Sequence, residues 1–550
     1  MFNFKNVYFY FLIFKTITAN FIKKIYFNSN FYLKTLKTKV PENFYFYPNP
    51  FLLSSFVKNK NFAFKITNVD INIFWESHKN LKEEENLNSF YWLNLVNRKD
   101  DSLLIQKIIL LWINKNRKYK KNTWKSGNVS KRIISWILNA DIILTNADKE
   151  FKEVFFESII IQINHLKKII KDEESKLIQI EIISTITLSG LVFREYENNF
   201  RIGIKELKKF VEDFFDKDGF PVSRNIYDLV QCSKFLILIK ECCKDAQEYI
   251  PDYLDDIVEK IIVCINSIKT STNHVPLFNG ANEFKINDYY KYISGLEYEL
   301  KNTKKNIGQI YNFNNKKINF FFDVGPPPKK RYSSNYQSGP LSFEYYYGED
   351  KIITNCGYGN QISRKMEQVS RLTSAQSTLT LNDTSVTKFE RNKLVHLVYG
   401  SAIKNSFSVF DFSLEDSGKF LSISAKHNAY EDKFGYIHKR LIQIHKKNDS
   451  LIGEDDLISI KRTKFDNFYN IRFHLYPGIT AVQTMGGKTI LIQIKKNKSF
   501  IFTTNGDNLS LEKSIFLGRN KIINNFCINI FGSIIKNTNK KINWELKKNN

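Results

Sequence analysis

The feature that most constrains this chain is a change in the spacing of its apolar residues part-way along the sequence. Between about residues 103 and 264 the spacing is helical, and Leu104, Ile108, Leu111 and Trp112 fall on one helix face. Beyond about residue 320 apolar and polar residues alternate, as in half-buried strands. This order argues against βαβ units, so we predict a helical domain followed by an antiparallel β-sandwich.

Element boundaries follow from the same patterns and from the turn residues between them. The predicted helices cover Val129–Leu144, Leu177–Phe193, Ile204–Phe215, Tyr227–Cys243 and Leu254–Ile268. The predicted strands are Leu394–Tyr399, Phe407–Phe412, Phe420–Ser424, Tyr436–Ile444, Ile471–Leu475, Lys488–Ile494 and Phe500–Thr504. The predicted organisation is an N-terminal segment 1–60, a helical domain 61–300, a polar linker 301–318 and a β-domain 319–550.

The chain carries a formal net charge of +26, from 82 Lys and Arg against 56 Asp and Glu. A basic surface attracts nucleic acid, but these charges are dispersed and form neither a basic tail nor an Arg/Gly repeat. A composition rich in Lys, Asn, Ile and Phe, as an AT-rich genome produces, accounts for the excess. We therefore do not predict a nucleic-acid partner. An acidic polysaccharide and a membrane surface are equally compatible with the charge.

The first residues contain a short aromatic run, Val7–Phe14, followed by Lys15. The run has no small-residue cleavage site and is too short to cross a bilayer, so we expect neither a signal peptide nor a transmembrane helix. A packed helix and an interfacial anchor with peripheral membrane contact are the two interpretations left open. The six cysteines are irregularly spaced without a C-x-x-C pair, which predicts small buried side chains and no zinc site.

A series of local motifs runs from about residue 45 to the C-terminus. In the helical half these are Leu87–Val96, Trp124–Ile137, Phe155–Lys168, and two loops, KDGFPVSRN at Lys217–Asn225 and VPLFNGANE at Val275–Glu283. In the β-half they are FDVGPPP, GPLSFE, NCG, RLTSAQSTL, FHLYPG and the closing INWEL. In this order the chain resembles heparinase II/III-like proteins, in a histidine-poor branch. The resemblance implies an (α/α) toroid-like helical domain before the β-sandwich.

The resemblance also implies a polysaccharide lyase that acts by β-elimination on an acidic, uronate-containing glycan. Such a reaction needs a base for the proton α to the carboxylate, an acid for the leaving oxygen, and donors that stabilise the developing charge. The family's catalytic tyrosine follows the first loop motif. Here Tyr227 lies one place before the aligned position, which Asp228 occupies. Tyr227 is the predicted catalytic residue.

The other site residues that the matching motifs imply are candidates for substrate binding: Arg224, Asn225, Asn279, Glu283, Gln337, Arg371 and Gln376. A structural interpretation competes with this one at the two loops. Asn225 is a favoured cap for a helix that begins at Ile226. An Asn-Gly turn with an exposed Glu283 accounts for the second loop equally well.

Gln337 and Gln376 stand where the family's lyases carry histidines. An amide donates a hydrogen bond but does not exchange a proton near neutral pH, and it is a poor zinc ligand. We therefore predict no metal and no other cofactor. The remaining histidines near these motifs are predicted to be structural: His274, His427, His438 and His474.

Two functions follow from this combination of motifs and replacements. The first is the lyase, with Tyr227 as base or acid. The alternative is a catalytically impaired carbohydrate-binding or cell-envelope polysaccharide assembly protein of the same fold. The resemblance implies a location in the cell envelope or periplasm, and the cytoplasm stays open because the N-terminus lacks a signal peptide. Nothing in the sequence indicates an oligomeric state.

Overall fold

The computed structural model describes residues 4–57, 75, 81–96, 98, 102–268, 270, 275–284, 286–390 and 401–549. The predicted strand Leu394–Tyr399 and His274 lie outside these residues. The chain divides into two compact units. Unit 1 comprises Met1–Phe215, Val230–Ile261 and Lys291–Tyr298, and unit 2 comprises Asp216–Leu229, Ile262–Tyr290 and Glu299–Asn550.

The described residues before about position 300 are mainly helical, as the spacing of their apolar residues predicts. The helices are α1 Phe4–Asn28, α2 Asn30–Leu36, α3 Leu81–Asn88, α4 Ser102–Asn116, α5 Ser126–Leu138, α6 Ala140–Leu144, α7 Lys149–Ile169, α8 Lys176–Val192, α9 Glu197–Phe214, α10 Ile226–Asp245, α11 Asp252–Ser267 and α12 Asn287–Gly295. The predicted helix Val129–Leu144 is wrong in one respect, because Asn139 divides it into α5 and α6. No helix among the described residues is long and apolar enough to cross a membrane.

The packing of α8 against α9 in unit 1 depends on two glycines. A Cβ atom at Gly190 would lie 2.1 Å from the backbone nitrogen of Phe200, and one at Gly203 would lie 2.1 Å from the hydroxyl of Thr187. The two helices therefore approach at backbone distance. Helix α9 buries Leu207 and other residues spaced three or four apart, which is one face of a helix.

Unit 2 contains two antiparallel sheets. The nine-stranded sheet has the order β1-β2-β3-β4-β5-β11-β16-β15, with β6 paired to β11, and the eight-stranded sheet has the order β12-β13-β14-β17-β10-β9-β8-β7. The strands are β1 Asn306–Ile307, β2 Ile310–Asn314, β3 Ile318–Asp323, β4 Phe343–Tyr347, β5 Asp350–Thr354, β6 Leu379–Leu381, β7 Val409–Asp416, β8 Phe420–His427, β9 Tyr436–His445, β10 Ser450–Ser459, β11 Asn467–Leu475, β12 Thr480–Gln483, β13 Thr489–Lys495, β14 Lys498–Thr504, β15 Asn508–Phe516, β16 Ile523–Ile534 and β17 Lys540–Asn549. Two short helices, α13 Arg364–Ser370 and α14 Glu431–Phe434, interrupt the strands.

The two sheets share one hydrophobic core, which makes unit 2 a sandwich. Trp544 of β17 stacks on Phe343 of β4 with ring centroids 5.6 Å apart, so the core joins residues of both sheets. Buried and partly exposed residues alternate along the whole of β9, as the period-two pattern predicts. The order of a helical region before antiparallel sheets is confirmed.

The predicted linker is wrong. Residues 301–318 contain β1 and β2, which pair with each other, and β2 continues the sheet by pairing with β3. Asn306 and Asn314 are exposed in these short strands, and the lysines of the stretch lie in the segments beside them, which explains its polar composition. The predicted boundary between domains also differs from the structure, because residues 216–229 and 262–290 belong to unit 2.

Candidate functional site

The two loop motifs and the first β-motifs come together within unit 2. The backbone N–H of Gly280 donates to Oε1 of Gln337 at 2.9 Å, and the amide of Asn279 donates to the carbonyl of Arg224 at 3.3 Å. A Cβ at Gly280 would lie 3.1 Å from Nδ2 of Asn225, so that side chain is adjacent as well. The structure thus brings together four predicted site residues: Arg224, Asn225, Asn279 and Gln337.

Arg224 is held by unit 2 through every N–H of its guanidinium. An arginine has five such donors. They reach the carbonyls of Gly308, Gln309, Gly325 and Pro326 and the carboxylate of Asp323. Both side chains of the ion pair are buried, with 6% and 2% of their areas exposed. The guanidinium therefore has no donor left for a substrate carboxylate.

The side chains of Gln337 and Gln376 also form hydrogen bonds with main-chain groups. The amide nitrogen of Gln337 donates to the carbonyls of Gly357 and Ser370, and its oxygen accepts from Gly280. The amide nitrogen of Gln376 donates to the same carbonyl of Ser370 at 2.8 Å. Both side chains are buried. The glutamines at these positions connect loops of the fold.

Arg371 is a third buried side chain with main-chain partners. It donates to the carbonyls of Tyr336, Ser333 and Ser401 at 2.8, 2.8 and 2.6 Å. Its guanidinium lies 3.9 Å from the centroid of the Phe389 ring. Burial lowers the pKa of Arg371 to about 10.

The loop before α10 combines a helix cap with a buried carboxyl group. Oδ1 of Asn225 accepts from the backbone N–H of Tyr227 at 2.8 Å, which is the N-cap geometry that the structural interpretation predicts. Asp228 is buried and accepts a 2.6 Å hydrogen bond from Ser223. Burial raises the pKa of Asp228 to about 6, and the Ser223 hydrogen bond offsets part of that rise.

Tyr227, the predicted catalytic residue, is partly exposed at the start of α10. Its ring lies edge-on to Phe284, with centroids 6.0 Å apart. Glu283 is ion-paired with Arg519 at 2.8 Å, and 13% of its side-chain area is exposed. Tyr227 and Glu283 are therefore the two predicted site residues that lie nearest the surface, since the others are buried.

A tyrosine that the sequence analysis did not select lies next to these loops. The hydroxyl of Tyr358 is 3.2 Å from Glu367 and 3.3 Å from Asn335. Burial raises the pKa of Tyr358 above its usual value, so this hydroxyl is a poor base. The sequence could have indicated Tyr358, because this residue directly follows the NCG motif.

His427, His438 and His474 of the β-domain are buried, in agreement with their predicted structural role. Nδ1 of His427 accepts from the backbone N–H of Ala429, so Nε2 of His427 carries the proton and donates to Nδ1 of His438 at 3.1 Å. Nε2 of His438 then donates to Asp455 at 2.7 Å. Burial lowers the pKa of His427 and of His438, so both imidazole rings are neutral in this series of hydrogen bonds.

No group of three or more His, Cys, Asp or Glu side chains is arranged to hold a metal ion in the part of the chain that the structure describes. Gln337 and Gln376 stand where the family resemblance implies histidines, and their amides already donate to main-chain carbonyls. These residues do not fit a metal.

Two adjoining open clefts lie elsewhere on unit 2, with volumes of about 510 and 600 Å³. They share Thr384, Ser385 and Lys388, and together they are lined by hydroxyl and amide side chains and by Lys388, Lys404 and Lys433. We call the pair the lysine cleft. Its acidic side chains have basic partners, because Asp383 pairs with Arg472 and Asp432 with Lys461.

Backbone pairing places Lys388 and Lys404 next to each other. The N–H of Lys404 donates to the carbonyl of Lys388 at 2.8 Å, and Phe389 forms an antiparallel bridge with Ile403. Asn405 extends this pairing, since its side chain accepts from the N–H of Lys388 and donates to the carbonyl of Val386. The sequence offered no signal for this cleft, because residues far apart in the chain line it.

Comparison with known proteins accounts for this arrangement of loops and strands. Residues 305–545 match the family model described as Heparinase II/III-like, C-terminal. This segment is similar to heparinase II/III-like C-terminal domains. The fold of the heparan sulfate lyase HepC from Pedobacter heparinus is similar to that of the chain, with a TM-score of 0.66, 12% identity, and coverage of 94% of this chain and 87% of that one.

Two further proteins are similar to this chain. The crystal structure of heparinase III gives a TM-score of 0.65 at 13% identity and covers 98% of this chain and 91% of that one. FtsZ-localized protein C of Caulobacter vibrioides (strain NA1000 / CB15N) is 28% identical over 191 residues, which are 33% of this chain and 32% of that protein. The match thus spans about a third of the length of this curated relative. The structural likenesses show that the heparinase-like domain follows a helical region with the fold of these lyases.

Proposed function

We propose that this protein binds an acidic polysaccharide through the lysine cleft and does not cleave it. The observation that carries the proposal is the use of all five donors of Arg224 by the protein itself. An uncommitted arginine at this motif would neutralise a uronate carboxylate as charge develops during elimination. The Arg224 guanidinium is buried and all of its donors are used, so it stabilises the fold instead.

The absence of proton-transfer groups at the histidine positions supports the same conclusion. Gln337 and Gln376 are buried, and neither amide exchanges a proton near neutral pH. Asp228 lies at the position aligned with the family's tyrosine, where the resemblance implies a phenol. Among the predicted site residues, Tyr227 and Glu283 are then left for the proton transfers of a lyase mechanism.

The lysine cleft has the chemistry that an acidic glycan requires. Each of its two parts, of about 510 and 600 Å³, is within the range of ligand sites in proteins, roughly 300–1,000 Å³. Thr384, Ser385, Asn405 and Asn428 supply donors and acceptors for sugar hydroxyls. Lys388 and Lys433 supply charge-assisted hydrogen bonds to carboxylate or sulfate, and Lys404, which is ion-paired with Glu390 at 3.2 Å, has further N–H donors for the ligand. The folds similar to this one include a heparan sulfate lyase, so heparan sulfate is the first ligand to test.

Binding to immobilised heparan sulfate tests the proposal. Removing all three cleft lysines, in the triple variant Lys388→Ala/Lys404→Ala/Lys433→Ala, should weaken binding about tenfold or more, because each lost charge-assisted hydrogen bond costs about 1.5–3 kcal/mol. The matched control removes three exposed lysines of unit 2 outside the cleft, Lys447, Lys496 and Lys521. Equal losses in the two variants would mean that net charge alone drives binding, and the cleft assignment would be wrong.

The second candidate function is the lyase itself, with Tyr227 as base or acid. The partial exposure of Tyr227, beside a loop that carries Glu283 and Phe284, favours it. In this scheme the Tyr227 phenolate takes the proton α to the carboxylate, the C4–O4 bond breaks, and the phenol so formed returns the proton to the leaving oxygen. Surface cations stabilise the uronate carboxylate in place of Arg224. A large loss of turnover in Tyr227→Phe would support the lyase over the binding protein.

Location in the cell envelope is part of the same proposal. The curated relative is named for its co-localisation with FtsZ, and the structural relatives act on or are named for acidic polysaccharide. A protein that holds glycan without cutting it fits a role in polysaccharide assembly at the envelope. Fractionation of cells that express the tagged protein tests this, with recovery in the envelope fraction expected.

A further inference from the structure

Helix α1 (Phe4–Asn28) carries a mainly apolar face that the described part of unit 1 leaves open. Thr18 lies within this face, and its hydroxyl donates to the carbonyl of Phe14 at 2.8 Å. Five large apolar side chains of this face are 59–67% exposed: Phe11, Phe14, Phe21, Ile22 and Ile25. With Ile17 they occupy one arc of about 140° around the helix, at about 100° per residue. Monomeric proteins do not usually expose such a contiguous apolar surface without a partner for it.

Lysines border this arc on both sides. Lys15 lies just beyond one edge and Lys24 just beyond the other, and both are exposed. The surrounding sequence is uniformly basic, because residues 1–41 contain seven lysines and the first acidic residue is Glu42. An aromatic apolar face between rows of lysine is the pattern of helices that lie in the headgroup region of a membrane.

The opposite side of α1 is fixed to unit 1, so the apolar face is presented in a defined direction. Lys23 forms an ion pair with Asp172 at 2.9 Å, and Ile13 is buried. Near the C-terminal end, the Phe27 ring packs edge-on against His165 at 5.6 Å. The docked residues Ile13, Lys23 and Phe27 lie on the helix side away from the arc.

We propose that α1 binds the surface of a membrane that contains anionic lipid, with its apolar arc in the boundary between headgroups and acyl chains. The helix is about 37 Å long, but among the described residues no helix is apolar enough to cross the bilayer. It therefore lies on the membrane. A second copy of the chain is a poorer occupant, because pairing two such faces would bring their lysine rows together. This inference does not depend on glycan binding.

Co-flotation of the full-length protein with lipid vesicles tests the proposal. Vesicles of phosphatidylcholine with phosphatidylglycerol should bind the protein, and vesicles of phosphatidylcholine alone should bind it at least about tenfold more weakly, since several lysines interact with the anionic surface. The variant Phe14→Asp/Phe21→Asp places charge in the apolar arc and should lose binding to both. The matched control is Phe465→Asp in unit 2, where the aromatic ring is 78% exposed, and it should bind like the wild type.

Several outcomes would overturn the proposal. One is that the wild type does not float with either vesicle, and another is that Phe14→Asp/Phe21→Asp and Phe465→Asp float equally. A third is a concentration-dependent dimer that Phe14→Asp/Phe21→Asp makes monomeric, with no flotation of the wild type. If the double aspartate variant does not fold, Lys15→Glu/Lys24→Glu replaces it. That variant should lose the preference for phosphatidylglycerol, and an unchanged preference would contradict the proposal.

Discussion

At the scale of single residues, Arg224 holds two parts of unit 2 together. Its side chain joins the loop before α10 to the end of β3, through Asp323 and the neighbouring carbonyls. Its backbone is in the left-handed region, with φ of 59°. Such a conformation in a non-glycine residue is costly and persists where the surroundings determine it. The Arg224 side chain therefore fixes the conformation of the loop before α10.

Replacing Arg224 should destabilise unit 2 strongly. In Arg224→Met, Asp323 is left as a buried carboxylate without its partner, and removing one member of a buried ion pair costs about 3–5 kcal/mol. In Arg224→Met/Asp323→Asn the loss should be smaller, because no unpaired charge remains. Urea denaturation of both variants measures the two free energies. The control is Lys301→Ala at the exposed pair with Glu299, where a loss under about 1 kcal/mol is expected.

Asp228 should make stability depend on pH. Its pKa in the folded protein, about 6, lies above the ordinary value of 3.8, so between these values the folded state binds more protons than the unfolded state. Stability contributed by this group therefore falls as pH rises through that window, by about 2–3 kcal/mol in total. Asp228→Asn should leave stability near pH 4 unchanged and raise it by about that amount near pH 8. Equal effects of the substitution at both pH values, measured by urea denaturation, would contradict the assignment.

The sequence predicts some of these residue roles and misses others for a physical reason. The Asn225 cap depends on neighbours two residues away, so local chemistry was enough to propose it. Arg224 and Asp323 are separated by 99 residues, and the partners of Gln337 come from two loops and the end of α13. Motif resemblance placed these residues in one region but could not reveal which of their donors the main chain already occupies.

At the scale of elements, the clean alternation of β9 was predictable, whereas β10 was not. Strand β10 was missed because Glu454, Asp455 and Asp456 interrupt its apolar pattern. Asp455 is nevertheless fully buried, where it accepts from His438, Arg440 and Trp544. These contacts lower the pKa of Asp455, and Arg440 is the largest favourable contribution. Tertiary partners thus make an acidic residue suitable for a core strand.

The pairing of β10 with β17 depends on a glycine opposite a tryptophan. A Cβ at Gly453 would lie 2.0 Å from the ring of Trp544, the residue paired with it across the two strands. Gly453→Ala should therefore destabilise unit 2 by about 1–3 kcal/mol through overpacking. Gly486→Ala is the control, because a Cβ there meets nothing within 4 Å. Thermal unfolding of the two variants compares them, and equal melting temperatures would refute the packing argument.

At the scale of the whole molecule, the net charge of +26 should appear as a salt dependence of glycan binding. Counterions screen charges separated by more than about 10 Å at 0.1 M ionic strength. Affinity for heparan sulfate should therefore fall as sodium chloride rises, and a neutral glycan should show no such dependence. Titrations at several salt concentrations measure this. An affinity for heparan sulfate that stays constant with salt would exclude the lysine cleft as an anion site.

The central claim is that the heparinase-like domain is retained as a binding scaffold without the elimination reaction. The most direct test incubates the folded protein with heparan sulfate and measures, in the same samples, bound glycan and the absorbance of a new C4–C5 double bond. We predict retained glycan and no increase in absorbance over a sample without protein. An absorbance that rises with the wild type and fails to rise with Tyr227→Phe would contradict the claim and establish a lyase that uses Tyr227.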